Sequence, residues 1–388
     1  MSKYVDSIYA LSTPTGKSAI ALIRVSGNDC LKIIKKISTL KKITPKKTNL
    51  VIISTKKEPI DQVILTYFKG PNSFTGQDML EINCHGSTAI ISKISETLNG
   101  LGSRLAEPGE FTKRALMNNK IDLVQTESLS DLINSETEKQ RSMAVSNLSG
   151  SLSFFTEKIN KKLIKLLADT EAIIDFADED LPKNIINGIK EQNKNIIKII
   201  EKELKNSKLY KPIRDGFVVS VVGKPNTGKS SFINFISRRN VSIVTDLPGT
   251  TTDAISSVID LKGYKFTFVD TAGIRKHKNK IEKIGIEKTK EIISKSDLSI
   301  VFLENKEINK YKNINNKIFV RSKYDKRRKI QENSKITNIS SFTGFGINKV
   351  LSKTKQKLIK NQKNEPIFSR ERHVEIMEKI LNVLSSIN

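Results

Sequence analysis

Three early segments carry apolar residues in alternation with polar ones or in short runs: Ala19-Ile20-Ala21-Leu22-Ile23-Arg24-Val25, Val63-Ile64-Leu65-Thr66-Tyr67-Phe68 and Met79-Leu80-Glu81-Ile82-Asn83-Cys84. These patterns predict strands. Turn-forming residues separate them, as in Gly70-Pro71-Asn72-Ser73, and a helix is expected from Thr88 to Leu98. From Ile121 the period changes. Leu152, Phe155, Ile159, Leu163, Leu166 and Leu167 recur three and four apart, the spacing of one helix face. A break follows at Ala177-Asp178-Glu179-Asp180-Leu181-Pro182, whose acids suit the positive end of a second long helix expected from Asn184 to Lys208. Pro212 is expected to end these helices. The apolar strand Phe217-Val218-Val219-Ser220-Val221-Val222 then opens an alternation of strand and helix signals that reaches Lys360. That alternation predicts a parallel sheet with helices on both faces. A last amphipathic helix is expected from Glu371, with Val374, Ile376, Met377, Ile380, Leu381 and Leu384 on its apolar side.

The strand at 217–222 runs straight into Gly223-Lys224-Pro225-Asn226-Thr227-Gly228-Lys229-Ser230, a Gly-x4-Gly-Lys-Ser loop between a strand and a helix. In that setting backbone N–H groups cradle phosphates, with Asn226, Thr227, Gly228 and Ser231 along the cradle. Lys229 places its charge between the β- and γ-phosphates, and Ser230 offers a hydroxyl to Mg2+. The superficially similar Gly16-Lys17-Ser18 has no glycine five residues earlier and precedes a strand, so it reads as a turn. Gly249-Thr250-Thr251 comes next, and Thr251 can give a hydroxyl to Mg2+ and an amide to the γ-phosphate. Asp270-Thr271-Ala272-Gly273 follows the strand expected at Tyr264 to Val269; Asp270 would hold Mg2+ through water, and Gly273 lets its amide approach the γ-phosphate. After Ile318-Phe319-Val320 comes Ser322-Lys323-Tyr324-Asp325, an Asn-Lys-x-Asp pattern with serine in the asparagine position. A carboxylate at Asp325 accepts from guanine N1–H and N2–H2, a pair adenine does not offer, while Ser322 is expected to weaken guanine affinity. Ser340, Ser341 and Phe342, within Ile339–Gly344, fit the last base-contacting loop, whose amides meet guanine O6. Five elements in this order predict a Ras-like G domain with GTP and Mg2+ as ligands.

Composition changes this picture little. The 388 residues, 37% hydrophobic, leave room for two or three domains. Cys30 and Cys84 make no disulfide framework and no metal cluster, and both are expected to be small buried apolar residues. No apolar run is long enough to span a bilayer and no signal-peptide pattern opens the chain, so a soluble cytoplasmic protein without a membrane partner is expected. The net charge of +26 supports two readings, an RNA partner or a Lys-, Ile- and Asn-rich codon bias, and the even spread of the excess does not choose between them.

Asn226 and Thr245-Asp246-Leu247-Pro248-Gly249-Thr250-Thr251 resemble bacterial GTPases that bind K+ beside the phosphates. Ile274 stands where a water-positioning glutamine follows Asp-x-x-Gly in Ras. The earlier segments narrow the resemblance. Thr13-Pro14 leading into Ile20-Ala21-Leu22-Ile23-Arg24-Val25-Ser26-Gly27, Pro71-Asn72-Ser73-Phe74-Thr75-Gly76, Cys84-His85-Gly86, Pro108-Gly109-Glu110-Phe111-Thr112-Lys113-Arg114-Ala115, and Asn119-Lys120-Ile121-Asp122-Leu123 through Asp131-Leu132-Ile133 resemble the MnmE (TrmE) family of tRNA modification GTPases. The likeness extends over residues 4–388.

That resemblance implies an α/β multidomain chain. Residues 1–118 would form an N-terminal α+β folate-binding-like domain that also makes the homodimer. Residues 119–212 plus 361–388 would form a helical domain, and 213–360 an inserted Ras-like G domain with a mostly parallel sheet. The implied activity is a potassium-stimulated GTPase that works with an FAD-dependent partner, MnmG (GidA). Together they would place a carboxymethylaminomethyl-type group on C5 of the wobble uridine of tRNA. The one-carbon unit would come from a tetrahydrofolate derivative of 5-formyl or methylene type, held by Arg24, Glu81 and Lys120. K+ contacts carry over to Asn226, Thr245, Leu247 through its carbonyl, and Thr250; Mg2+ contacts carry over to Ser230 and Thr251. Asp246, Pro248, Gly249 and Ala272 fall in the same nucleotide-binding stretches, and Glu282 matches the catalytic glutamate that orients the attacking water. Read from the residues alone, Arg24 and Glu81 are an ion pair at strand ends, Lys120 a solvated helix start and Glu282 a surface carboxylate.

The chain also departs from the family. Thr252 stands at a family arginine, and no Cys-Ile-Gly-Lys tail precedes Asn388, so a thinner helical domain is expected. Two alternatives follow: a ribosome-assembly GTPase binding rRNA, and a scaffold GTPase that has lost the modification chemistry.

Overall fold

The structure, a computed structural model, describes residues 6–55, 58–175, 184–207, 210–239, 256–271, 290–304, 308–326, 335–359 and 366–387. The chain divides into two compact units, Met1–Glu127 and Ser128–Asn388.

The first unit is built on a six-stranded sheet of β1 (Ile8–Leu11), β2 (Ser18–Ser26), β3 (Thr48–Ser54), β4 (Pro59–Phe68), β5 (Met79–Gly86) and β6 (Arg104–Leu105), in the order β3-β4-β5-β2-β1-β6. All pairings are antiparallel except β1 with β6. Alternate residues face opposite sides of such a sheet. Ala21, Ile23, Val25, Leu65, Leu80, Ile82 and Cys84 point to one side and pack with Cys30, Ile33 and Ile34 of α1 (Cys30–Ile37) and Ile94 and Leu98 of α2 (Thr88–Gly100). The other side therefore takes Arg24 and Glu81. Both cysteines are buried and free, and burial pushes the Cys30 thiol up to about 12 and the Cys84 thiol to about 11, so neither is a thiolate near neutrality. The sequence reading missed β1, β3 and α1, although α1 carries Cys30, Ile33, Ile34 and Ile37 at helical spacing.

After α2 come α3 (Glu110–Met117) and α4 (Leu123–Ile133). The Pro108–Ala115 stretch, conspicuous in sequence, has a structural use. Glu110 is 5% exposed and Arg114 fully buried. Arg104 meets Glu110 through two hydrogen bonds of 2.8 and 2.7 Å, and Arg114 Nη2 donates to both Glu110 Oε1 and Asp6 Oδ1 at 2.9 Å. Arg104 first, and Arg114 with it, holds the Glu110 carboxyl down at about 2.

The second unit begins with helices. In α5 (Glu138–Leu148), Thr137 and Gln140 form a reciprocal capping box, and Gln140 Nε2 also donates to the Arg214 carbonyl at 2.8 Å. The long helices α6 (Ser151–Asp175) and α7 (Ile185–Ser207) pack together, and Leu152, Phe155, Ile159 and Leu166 of α6 are buried. Leu167, expected on the same face, is 58% exposed, because it lies about 100° round the helix from Leu166 and falls outside the stripe of Leu152, Phe155, Ile159 and Leu166. Asp178, Glu179 and Asp180 lie outside the described residues. Pro212 does not end the helices; it sits inside the short α8 (Tyr210–Arg214), within a first turn where its missing N–H has no intrahelical partner to lose.

The second sheet comprises β7 (Phe217–Gly223), β8 (Ser256–Leu261), β9 (Tyr264–Asp270), β10 (Leu298–Phe302), β11 (Lys317–Arg321) and β12 (Ile336–Asn338), ordered β12-β11-β10-β7-β9-β8. Only the β8–β9 hairpin is antiparallel. Val219 and Val221 of β7, with Phe266 and Phe268 of β9, join Phe232, Ile233 and Ile236 of α9 (Lys229–Arg239) and Ile347 and Val350 of α10 (Ile347–Leu358) in one apolar core. The final helix, α11 (Glu371–Ser386), packs on α7, where Asn193 Nδ2 donates to the Leu384 carbonyl at 2.9 Å. Its buried residues are His373, Met377 and Leu384, whereas Ile376 is 47% exposed and does not share the apolar side expected of it. Among the described residues no helix is long and apolar enough to cross a membrane.

Candidate functional site

Strands β7, β9, β10 and β11 run parallel, so their C-terminal ends gather at one edge of the sheet. The register levels them: Val221 lies opposite Asp270, and Phe302 opposite Gly223. The chain order reverses at β7, with β9 on one side and β10 on the other. Open α/β sheets bind ligands in the crevice at such a switch point. The loop leaving β7 opens into it.

Backbone shape there is set by three residues. Gly223 has φ +154°, and a Cβ on it would lie 2.7 Å from the Phe302 carbonyl oxygen, so only glycine lets the loop leave so close to β10. Asn226 takes φ +60°, a left-handed conformation that asparagine tolerates better than most side chains. Gly228, at φ +92°, comes so near Ser322 that a Cβ would lie 2.9 Å from its Oγ.

Lys229 opens α9 and is 4% exposed. Its Nζ donates to the carbonyls of Gly223 at 2.9 Å and Lys224 at 2.7 Å, and Thr227 Oγ1 also donates to the Lys224 carbonyl, at 2.8 Å. The neighbouring Ser230 Oγ donates to Oδ2 of the fully buried Asp270 at 2.7 Å. Thr271 Oγ1 donates to the Val221 carbonyl at 2.9 Å, which ties the end of β9 to β7. An ammonium, a hydroxyl and a carboxylate thus stand together at the N-terminus of a helix, where backbone N–H groups are unpaired. Serine hydroxyl and carboxylate oxygens are the hard donors that suit Mg2+.

The second half of the site lies beyond β11. Ser322 Oγ donates to the Thr227 carbonyl, and Lys323 Nζ to the Asn226 carbonyl at 2.9 Å. Ser340 Oγ donates to Asp325 Oδ1 at 2.6 Å and accepts from the amides of Phe342 and Thr343 at 3.3 and 3.2 Å. The Ser340 hydrogen bond is the main reason the Asp325 carboxyl titrates below its ordinary range. Sequence reasoning missed one contact: Tyr324 and Phe345 stack with ring centroids 4.4 Å apart and planes 13° apart, joining the two base-side loops. Aromatic residues in otherwise polar loops were the only signal. Ser231 lies exposed on α9, and it, Phe235 and Arg238 share a groove of about 510 Å3 with Ser341 and the 89%-exposed Phe342.

The structure thus brings together Asn226, Thr227, Gly228, Lys229, Ser230, Asp270, Thr271, Ser322, Lys323, Asp325 and Ser340. Thr245, Asp246, Leu247, Pro248, Gly249, Thr250, Thr251, Ala272, Gly273 and Glu282 lie outside the described residues.

In the first unit, Arg24 and Glu81 stand directly opposite each other on β2 and β5, with Arg24 Nε 2.8 Å from Glu81 Oε1. They form an ion pair near the strand ends, two residues inside the end of β2 and two inside the start of β5. Their side chains remain 38% and 22% exposed. Lys120 follows α3, and its Cγ would lie 3.1 Å from a Cβ on Gly76. The Lys120 amide donates to the Ala115 carbonyl at 2.9 Å. Among the described residues no group of His, Cys, Asp and Glu is arranged to hold a metal by itself.

Comparison with known proteins bears on both units. Residues 7–120 match the family described as the GTP-binding protein TrmE N-terminus, and residues 123–388 match the MnmE helical domain. The tRNA modification GTPase MnmE of Aquifex aeolicus is 36% identical over 394 residues, covering 98% of this chain and 88% of that protein. The chain belongs to the MnmE family. The Pelagibacter ubique MnmE is 38% identical over 406 residues, with 98% of this chain and 89% of that protein covered. Among solved structures, the G domain of the T. maritima FeoB iron transporter is 21% identical and covers 36% of this chain and 98% of its own, but its TM-score of 0.30 carries no weight. Membership in the MnmE family thus rests on the two family matches and on near-full-length relatives.

Proposed function

We propose that this chain is a GTP hydrolase acting in tRNA modification, and that its turnover is stimulated by potassium. Family membership supports the activity, and the convergence of Lys229, Ser230 and Asp270 at the strand ends carries the nucleotide half of the reading. The chain is divided, in this reading, into an N-terminal domain at 1–118, a helical domain at 119–212 plus 361–388 and a G domain at 213–360.

In the G domain, Lys229 leaves its two loop carbonyls to meet the β- and γ-phosphates, and the amides at the start of α9 hold the phosphate oxygens. Ser230 and Thr251 would hold Mg2+, and Asp270, which accepts from the Ser230 hydroxyl, would hold it through water. Bound there, Mg2+ supplies positive charge that the phosphoryl oxygens need as the bond to the leaving group breaks. Asn226, Thr245, the Leu247 carbonyl and Thr250 hold K+, and Glu282 orients the attacking water. Asp325 reads the guanine, its anionic form favoured by Ser340.

The cycle serves a complex with the FAD protein MnmG (GidA), which modifies C5 of the wobble uridine with a carboxymethylaminomethyl-type group. The N-terminal domain forms the homodimer and holds a tetrahydrofolate derivative of 5-formyl or methylene type. Arg24, Glu81 and Lys120 are the residues offered to it, and the partly exposed Arg24–Glu81 pair leaves polar atoms open to a ligand. GTP turnover measured in K+ and in Na+ tests the nucleotide reading. Faster turnover in K+ is expected, and equal rates would remove the role given to Asn226. Glu282→Ala should lower turnover by about a hundredfold or more with nucleotide affinity kept; preserved turnover would reject Glu282 as the residue that orients the water.

A further inference from the structure

The hydrogen bond made by Ser322 decides what that residue can offer a base. A serine hydroxyl carries a single proton. Here that proton is directed to the Thr227 carbonyl, and Ser322 is only 8% exposed. The N7 and O6 atoms of guanine are both acceptors, so a group that reads either of them must donate. Ser322 has no second proton to give. An asparagine amide in the same place has two, one for the loop and one for a base.

The surroundings are built around the tie. Lys323 donates to the Asn226 carbonyl at 2.9 Å, so two consecutive residues bind two consecutive carbonyls of the phosphate loop. Gly228 makes the approach possible, since a Cβ there would come within 2.9 Å of Ser322 Oγ. The carboxylate of Asp325 keeps acceptor positions for N1–H and N2–H2 after taking the Ser340 hydroxyl on Oδ1.

We propose that Ser322 is a staple between the base loop and the phosphate loop and not a base contact, so that this site recognises guanine through its Watson–Crick edge and is indifferent to N7. The proposal rests on the guanine-nucleotide reading given above. It makes Ser322 a positioning residue that sets specificity by what it withholds.

Isothermal titration calorimetry of the full chain with GDP, 7-deaza-GDP and ADP tests it, because 7-deaza-GDP differs only in carrying C–H in place of N7. Affinities for GDP and 7-deaza-GDP are expected to agree within about twofold, whereas one lost direct hydrogen bond would separate them by about threefold to tenfold. A preference for GDP of that size would overturn the proposal. Ser322→Ala should weaken both guanine nucleotides by the same factor, since it removes the staple and touches neither base. Weakening of GDP alone, or no change in either, would also overturn it. Failure to bind GDP, or equal binding of ADP, would instead refute the guanine-nucleotide reading itself.

Discussion

Strand direction separates how the two sheets of this molecule assemble charged groups. The mostly antiparallel sheet of the first unit sets Arg24 against Glu81 across adjacent strands, 57 residues apart in sequence and partly open to solvent. The mostly parallel sheet of the second unit gathers its groups at strand ends. Lys229 and Ser230 follow β7 and Asp270 ends β9, and all but the Ser230 hydroxyl among their polar side chains belong to residues under 5% exposed. A parallel sheet delivers consecutive loops to one edge, so a site there is written as short contiguous motifs. An antiparallel sheet brings together residues distant in sequence, so a site on its face is written one residue at a time.

The sharpest way to break that comparison lies inside the first unit, where a second arginine behaves oppositely. Arg114 is fully buried among Glu110, Asp6 and the Gln77 side chain. Replacing it by methionine should cost about 3 kcal/mol in chemical denaturation, because carboxylate and carbonyl acceptors lose their buried donor. A loss below about 1 kcal/mol would put it level with a surface pair and erase the contrast. The same network predicts a pH effect. The Glu110 carboxyl falls from 4.5 in the unfolded chain to about 2 when folded, so its stabilisation is complete above the unfolded value and is lost as pH drops from about 4.5 toward 2. Arg114→Met, which removes one of the two arginines on Glu110, should shrink that acid-side loss.

Lys229→Ala comes next in size. GTP affinity should fall by about two orders of magnitude, as for truncation of a buried charge at an interface, and equilibrium binding is the measurement. Unchanged affinity would detach the phosphate site from the strand-end cluster. Arg24→Ala should do the least to the fold. Its pair with Glu81 is partly solvated, so stability should change by less than about 1 kcal/mol. Affinity for a tetrahydrofolate derivative should nevertheless drop about tenfold or more, the effect of losing a charged hydrogen bond. Equal affinity in the variant would leave Arg24 as a structural ion pair only.

These regions were unequally legible in the sequence. The phosphate loop could be read outright, because its spacing encodes one backbone shape and because an apolar strand precedes it. Asp270 and Asp325 could be placed for a related reason, the first closing β9 and the second lying in the short motif that follows β11. Arg24, Glu81 and Lys120 were visible only by resemblance, since no local pattern links positions so far apart. Long elements such as α7 and β2 matched the expected segments, while the four-residue β1 offered little pattern and the helical spacing of Cys30, Ile33, Ile34 and Ile37 in α1 was overlooked. Leu167 and Ile376 misled because the buried stripe of each helix is narrower than its run of apolar residues, and because the final helix buries His373 within that stripe. Pro212 misled because proline breaks only helix interiors. The consequence of Ser322 was half legible: the missing asparagine showed in the sequence, whereas the committed proton showed only when Thr227 was found beside it.

The proposed place of this chain in tRNA modification is tested most directly by mass spectrometry of wobble uridine from cells with and without it. Loss of the carboxymethylaminomethyl-type group at C5 in the cells lacking the chain, restored by the intact chain and not by Lys229→Ala, is the predicted result. Wobble uridine unchanged by removal of the chain would contradict the account.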